Sequence, residues 1–194
     1  MAGIHLHQIT QPGQHAAGVG FEQPFEMLTA CHERVHRMLR LLGKLREHLA
    51  TRGHDEQAAQ AARDVMRYFD QAAPLHHEDE ELHVFPLLLQ RGDEALRQAV
   101  RRLQADHVAM GEIWPQARRC LLAVADAAAT SSWAGWTPGD EQLLDRFAGQ
   151  YDEHIRLEET LVYPAVQGLL DAPALSAIGE EMQHRRTDGR VRGR

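Results

Sequence analysis

The chain has little of several things, and each shortage narrows the reading. Only two cysteines, Cys31 and Cys120, occur in 194 residues. That is too few for a disulfide framework and fits a reducing compartment. No run approaches the ~18 consecutive apolar residues of a membrane span. The first twenty residues lack the charged start and apolar core of a signal peptide. Basic residues do not dominate: 21 Lys and Arg face 28 Asp and Glu, for a net charge of -7. The chain therefore has no broad electrostatic footprint for nucleic acid. The one basic run, Arg185 to Arg194, reads as a solvated tail. No segment alternates as a strand does. These features predict a cytoplasmic, all-α protein without a membrane or nucleic-acid partner. They do not indicate an oligomeric state.

What is abundant is histidine, 13 in all, and position decides what each can do. Residues 1–20 hold glycine and proline without an apolar period, and read as a loose leader in which His5, His7 and His15 are solvated. A first helix is expected from Phe25 to Ala50, with Leu28, Val35, Leu39, Leu42, Leu45 and Leu49 on one stripe. Gly53 should stop it. A second begins near Asp55, a good cap, and runs to about Gln90, kinked or divided at Pro74. A third runs from Glu94 to Ala129 with an irregularity at Pro115. Thr130 to Gly139 reads as a loop whose Trp133 and Trp136 pack it down. A fourth helix runs from Asp140 to Leu170, and Ala174 to Gln183 reads as a short fifth. Four long amphipathic helices with short connections predict an up-down-up-down four-helix bundle over residues 21–171, followed by a short helix and tail over 172–194.

Two stretches carry the chemistry. His76-x3-Glu80-Glu81-x3-Phe85-Pro86 returns as His154-x3-Glu158-Glu159-x3-Tyr163-Pro164. On a helix, positions i and i+4 share a face, so each stretch offers one imidazole and one carboxylate together. His32 falls in register with Val35, Leu39 and Leu42 on the first helix. His107 falls in register with Leu103, Met110 and Trp114 on the third. A lone inward histidine is more often a satisfied core residue than a ligand. Four on four apolar stripes, two with a glutamate one turn on, favour a metal. Imidazole with carboxylate suits iron, zinc, manganese or nickel better than calcium or magnesium. The ligand count exceeds one tetrahedral zinc, and two glutamates are natural bridges, so the count suggests a dinuclear site. Glu78, Asp79, Glu81 and Glu159 read as solvated or as outer partners of the ligands. His83 reads as outward-facing or donating to such a carboxylate, and His48, His54 and His184 as surface residues.

Two other chemistries compete. His32-Glu33-x2-His36 spells the H-E-x-x-H of zinc hydrolases, but no substrate-aligning strand or third ligand accompanies it. A ferritin-like, storage-type carboxylate site needs Glu-x2-His on two helices. Glu33-x2-His36 and Glu80-x2-His83 exist, but the fourth helix supplies His154-x3-Glu158 instead. A metal-binding module without redox turnover would use the same ligands as a redox site.

Taken together, Cys31-His32-Glu33-Arg34-Val35, the two His-x3-Glu-Glu stretches and Asp106-His107-Val108-Ala109-Met110 resemble the hemerythrin family in its bacterial HHE cation-binding branch, over about residues 25–170. The resemblance implies two iron ions in an Fe–O–Fe type centre, with zinc or manganese able to substitute. By position it implies His32, His76, His107 and His154 as ligands and Glu80 and Glu158 as bridges. It implies a small ligand, O2, NO or peroxide, and a metal- and oxygen-binding role more than a dedicated enzyme. Oxygen carriers of the family have a second histidine one turn after the third-helix ligand, where this chain has Gly111. His77, or else His36, is the candidate to fill that place.

Overall fold

The computed structural model describes residues 20–127 and 133–192, with side chains to Thr187. Every regular element among them is helical. Helix α1 is Pro24–Arg52 and α2 is Glu56–Asp79. A π-helical turn, Glu80–Val84, joins α2 to α3, Phe85–Arg91. Helix α4 is Glu94–Asp126 and α5 is Pro138–Ala148. Helix α6, Tyr151–Leu157, leads through a second π-helical turn, Glu158–Val162, into α7, Tyr163–Gln167. Helix α8 is Ala172–Arg192. No described helix is long and apolar enough to cross a membrane.

Local chemistry sets the ends. Gly53 takes φ +79°, the left-handed conformation that a glycine stop allows. Asp55 accepts from the Ala58 amide at 2.9 Å, Asp93 from Leu96 at 2.9 Å and Asp171 from Ala174 at 3.0 Å. Thr137 and Asp140 form a reciprocal capping box that starts α5 at Pro138. The leader apart from Gly20, the end of the expected third helix beyond Ala127, and residues 128–132 of the loop lie outside the described residues.

Four expectations are corrected. Helix α2 runs unbroken through Pro74, an exposed position, and α4 through Pro115. The departures from α-helix fall instead one turn ahead of Pro86 and Pro164. Proline has no N–H and its ring crowds the carbonyl four residues back. A widened turn relieves both, and the Phe85 and Tyr163 amides reach back to the Glu80 and Glu158 carbonyls. The expected fourth helix is interrupted at Gly149–Gln150, where the Gly149 amide closes α5 on Asp145 and Phe147. The short fifth helix is 21 residues long. His48 is buried, 3.0 Å from Asp55, where a surface residue was expected.

The chain forms two compact units. In one, built from residues 34–72 and 108–150, Phe69, Trp114 and Phe147 cluster with ring centroids 5.0 to 5.2 Å apart. Asp70 accepts from Trp114 Nε1 at 3.0 Å and from Arg118. Trp136 donates to the Cys120 carbonyl at 3.0 Å and meets Trp133 edge-on, so these tryptophans pack the loop. The other unit, residues 16–33, 73–107 and 151–194, has a core of Phe25, Leu28, Phe85, Leu88, Leu103, Tyr163, Val166 and Met182 with their neighbours. Helix α8 belongs to this core through Met182. Its Gly179 lies so close to the Phe21 backbone that a Cβ there would sit 1.8 Å from the Phe21 carbonyl oxygen.

Candidate metal centre

Seven side chains of this second unit converge. Donor atoms of His32, His76, Glu80 and Glu158 all lie within 4.8 Å of one another, and so do those of His77, His107 and His154. Helix spacing accounts for the pairs His76–Glu80 and His154–Glu158, whose closest nitrogen–oxygen distances are 3.5 and 3.0 Å. His77 is rotated about 100° from His76 and turns to the other group. Its ring stacks on His107 with centroids 4.0 Å apart. Gly111 lies one turn beyond His107 and supplies no side chain. His36 belongs to neither group among the described residues, so of the H-E-x-x-H run only His32 joins a set of three or more donors.

Each glutamate spans both groups. Glu80 turns Oε1 toward His76 and Oε2 toward His107, at 3.5 and 3.4 Å. Glu158 turns Oε2 toward His32 and Oε1 toward His154, at 3.1 and 3.0 Å. Both carboxylates are fully buried. Glu80 Oε2, both oxygens of Glu158, His107 Nε2 and His154 Nε2 are buried without a hydrogen-bond partner. Unpaired buried donors and acceptors are costly, and these all face the middle of the cluster. Nitrogen and carboxylate oxygen donors aimed at shared points are what bound cations would satisfy, so the residues present fit a metal.

The other face of three of the imidazoles is held, while His76 Nδ1 is buried without a hydrogen-bond partner. His32 Nδ1 meets Glu159 Oε1 at 2.9 Å, His107 Nδ1 meets Glu81 Oε1 at 3.0 Å, and His154 Nδ1 meets Asp106 Oδ2 at 3.4 Å. A carboxylate on Nδ1 fixes the tautomer and leaves Nε2 free to bind. In each Glu-Glu doublet the first residue therefore points into the cluster, and the second orients a histidine from another helix. Gln104 in turn donates to Glu81 at 2.8 Å. Tyr163, which the sequence did not single out, is buried and donates to Glu80 Oε1. Its ring stacks on His32 at 5.6 Å. The signal for it is its fixed place in the repeated stretch, opposite Phe85. Glu78 is exposed, and its nearest charge is Arg185 at 2.9 Å. His83 meets Glu181 at 2.5 Å. His184 is exposed.

Burial sets the proton inventory. It lowers His76 to about 3 and, with His107 nearby, holds His77 well below the usual imidazole range. Both are neutral and able to bind a metal. Burial and the adjacent Glu80 push Glu158 up to about 8. Burial lowers His32 and His107, but the glutamates beside them prevail and raise both. Burial and the adjacent Glu80 thus favour the protonated form of Glu158 around neutral pH.

Two outcomes are expected. A raised pKa means that the proton is bound below about 8 and must leave when metal enters. Metal affinity should therefore fall as pH drops from 8 to 6, and titrations in buffers of different ionisation enthalpy should report protons released. Affinity independent of pH would contradict this protonation. Glu81→Gln and Glu159→Gln should each weaken metal binding by roughly 10–100-fold, the usual effect of losing an outer carboxylate. Glu78→Ala should leave it near wild type. The reverse order in a competitive chelator titration would show that the helix register is misassigned.

The comparisons with known proteins agree with this geometry. The hemerythrin HHE cation-binding domain model matches residues 23–166. An uncharacterized protein of Haemophilus influenzae is 32% identical over 179 residues, covering 92% of this chain and 97% of its own length. A cluster of histidine and glutamate donors within a family match over most of the chain leads to one conclusion: this chain belongs to the hemerythrin HHE cation-binding family, and it is a metal-binding protein of that family.

Proposed function

We propose that the chain is a non-haem di-iron protein that binds or senses a small ligand, O2, NO or peroxide, and that its helices form an up-down-up-down four-helix bundle around the metals. The observation that carries the reading is the placement of Glu80 and Glu158, each with one oxygen turned to each histidine group. A single metal on the His32–His76 side would leave Glu80 Oε2 and Glu158 Oε1 buried without a partner. Two metals satisfy all four. His77, His107 and His154 then serve one metal and His32 and His76 the other, so His77 takes the place that Gly111 leaves empty. When bound, two irons supply a change of oxidation state and a position for a diatomic ligand.

The chain's own residues do the rest. Five imidazoles and two carboxylates would hold the metals, and the carboxylates behind His32, His107 and His154 limit rearrangement when the metal charge changes. The His32–His76 group has fewer protein donors than its neighbour, so it is the one with room for an added ligand. That group is buried throughout, and the walls around it include Tyr163. Its buried phenol keeps its proton, because burial and the adjacent glutamates raise its pKa well above the usual value. It can donate a hydrogen bond at Glu80 while excluding water.

The test is metal analysis and optical spectroscopy of protein loaded with Fe(II) under argon. Two irons per chain are expected, with spectral changes on adding NO or air. His77→Ala should keep one iron per chain through gel filtration and lose the other. One tetrahedral zinc retained against excess Fe(II) would remove the di-iron reading. Two irons with no spectral response to O2, NO or peroxide would leave a binding module without ligand chemistry.

A further inference from the structure

The strongest unexplained feature beside the cluster is Asp79. It sits between exposed Glu78 and buried Glu80, and it is itself fully buried. It faces none of the histidines. Both its oxygens are taken by the C-terminal helix. Oδ1 accepts from Arg185 Nη2 and, at 3.2 Å, from Arg186 Nη1. Oδ2 accepts from Arg186 Nη2 at 2.5 Å.

The two guanidinium groups are themselves held. Arg185 Nε donates to Glu181 at 2.7 Å, and Arg186 Nη1 donates to the Met182 carbonyl at 2.9 Å. Arg186 also lies 5.4 Å from the Phe21 ring centroid. One turn on, His83 is bound to Glu181. Helix α8 therefore grips the chain at Asp79 and at His83, on either side of Glu80. The segment between belongs to the π-helical turn, whose hydrogen bonding is poorer than that of an α-helix and which runs into Phe85-Pro86, where Pro86 has no N–H. Such a turn needs bracing from outside, and a buried carboxylate left without its cations would be driven toward solvent, carrying the adjoining backbone with it.

We propose that Arg185 and Arg186 are positioning residues for the metal centre: through Asp79 they hold the turn that presents Glu80, and the C-terminal helix, beyond the residues that the family model matches, tunes metal retention through that clamp. For its effect on metal this rests on the metal-binding reading above. The effect on the turn stands without it.

The experiment compares wild type with Arg185→Gln/Arg186→Gln, with Arg185→Lys/Arg186→Lys, and with Met182→Ala, which loosens α8 without touching Asp79. Amide hydrogen exchange is read in metal-free protein, and iron release to a chelator and the optical spectrum in loaded protein. The glutamine pair should exchange its amides from 80 to 85 at least tenfold faster, release iron at least tenfold faster and show an altered iron spectrum. The lysine pair should fall between, because lysine restores charge but not the fork. Met182→Ala should melt lower yet keep wild-type exchange at the turn and a wild-type spectrum. If the glutamine pair does not fold, Arg186→Gln alone, which removes the donor to Oδ2 among the described residues, is read in the same way. Turn exchange, iron release and spectrum that match Met182→Ala would overturn the clamp. Wild-type protein that takes up no iron would instead overturn the di-iron reading, with the exchange arm still deciding the role of the arginines.

Discussion

Two carboxylates buried side by side govern this structure. Glu80 and Glu158 are fully buried and both face the same small volume. Two like charges about 4 Å apart repel by about 4 kcal/mol at an effective dielectric of 20, and each also bears a desolvation cost of several kcal/mol. Protonation of Glu158 relieves part of this in the metal-free chain. Two cations would relieve all of it. The surrounding core must hold the cluster together until they arrive. Phe25, Leu28, Phe85, Leu88, Leu103 and Val166 are among its buried side chains, each worth roughly 1.5–3 kcal/mol on burial.

The repeated stretch explains how one sequence device builds both sides of the centre. Histidine and glutamate one turn apart point inward, a second glutamate steps around the helix to a neighbour's histidine, and a proline five residues on opens the turn. Glu81 thereby reaches His107 and Glu159 reaches His32. The C-terminal helix adds a layer of its own through Met182, Arg185 and Arg186. The alignment with the Haemophilus influenzae protein covers 92% of this chain and so runs past the family match.

Much of this was legible in sequence because helices report on themselves. The His76–Glu80 and His154–Glu158 pairs and the stripe holding His32 follow from spacings of three or four, and the cap at Asp55 from its residue type. What was not legible depends on partners far away in the chain. Asp79 looked like one more acidic residue in a solvated run, and its burial follows only from arginines more than a hundred residues later. His48 was read as a surface residue, but Asp55 and the surrounding helices enclose it. Proline was read as a breaker at Pro74, yet that ring lies on an exposed face of a continuous helix. At Pro86 and Pro164 the distortion falls in the preceding turn, where the first glutamate must be aimed. That His77 groups with His107 and His154, while His36 joins neither donor group among the described residues, also needed coordinates, because His77 adjoins one ligand candidate and His36 lies one turn from another.

The central claim is that two metals share both glutamates. Anomalous scattering from crystals of the iron-loaded protein, recorded at the iron edge, tests it most directly. Two peaks per chain are expected, about 3.5–4 Å apart as in other two-metal sites, with carboxylate density from Glu80 and Glu158 reaching both and with His77 on the same iron as His107 and His154. A single iron peak per chain, or two irons too far apart for one carboxylate to touch both, would contradict the account.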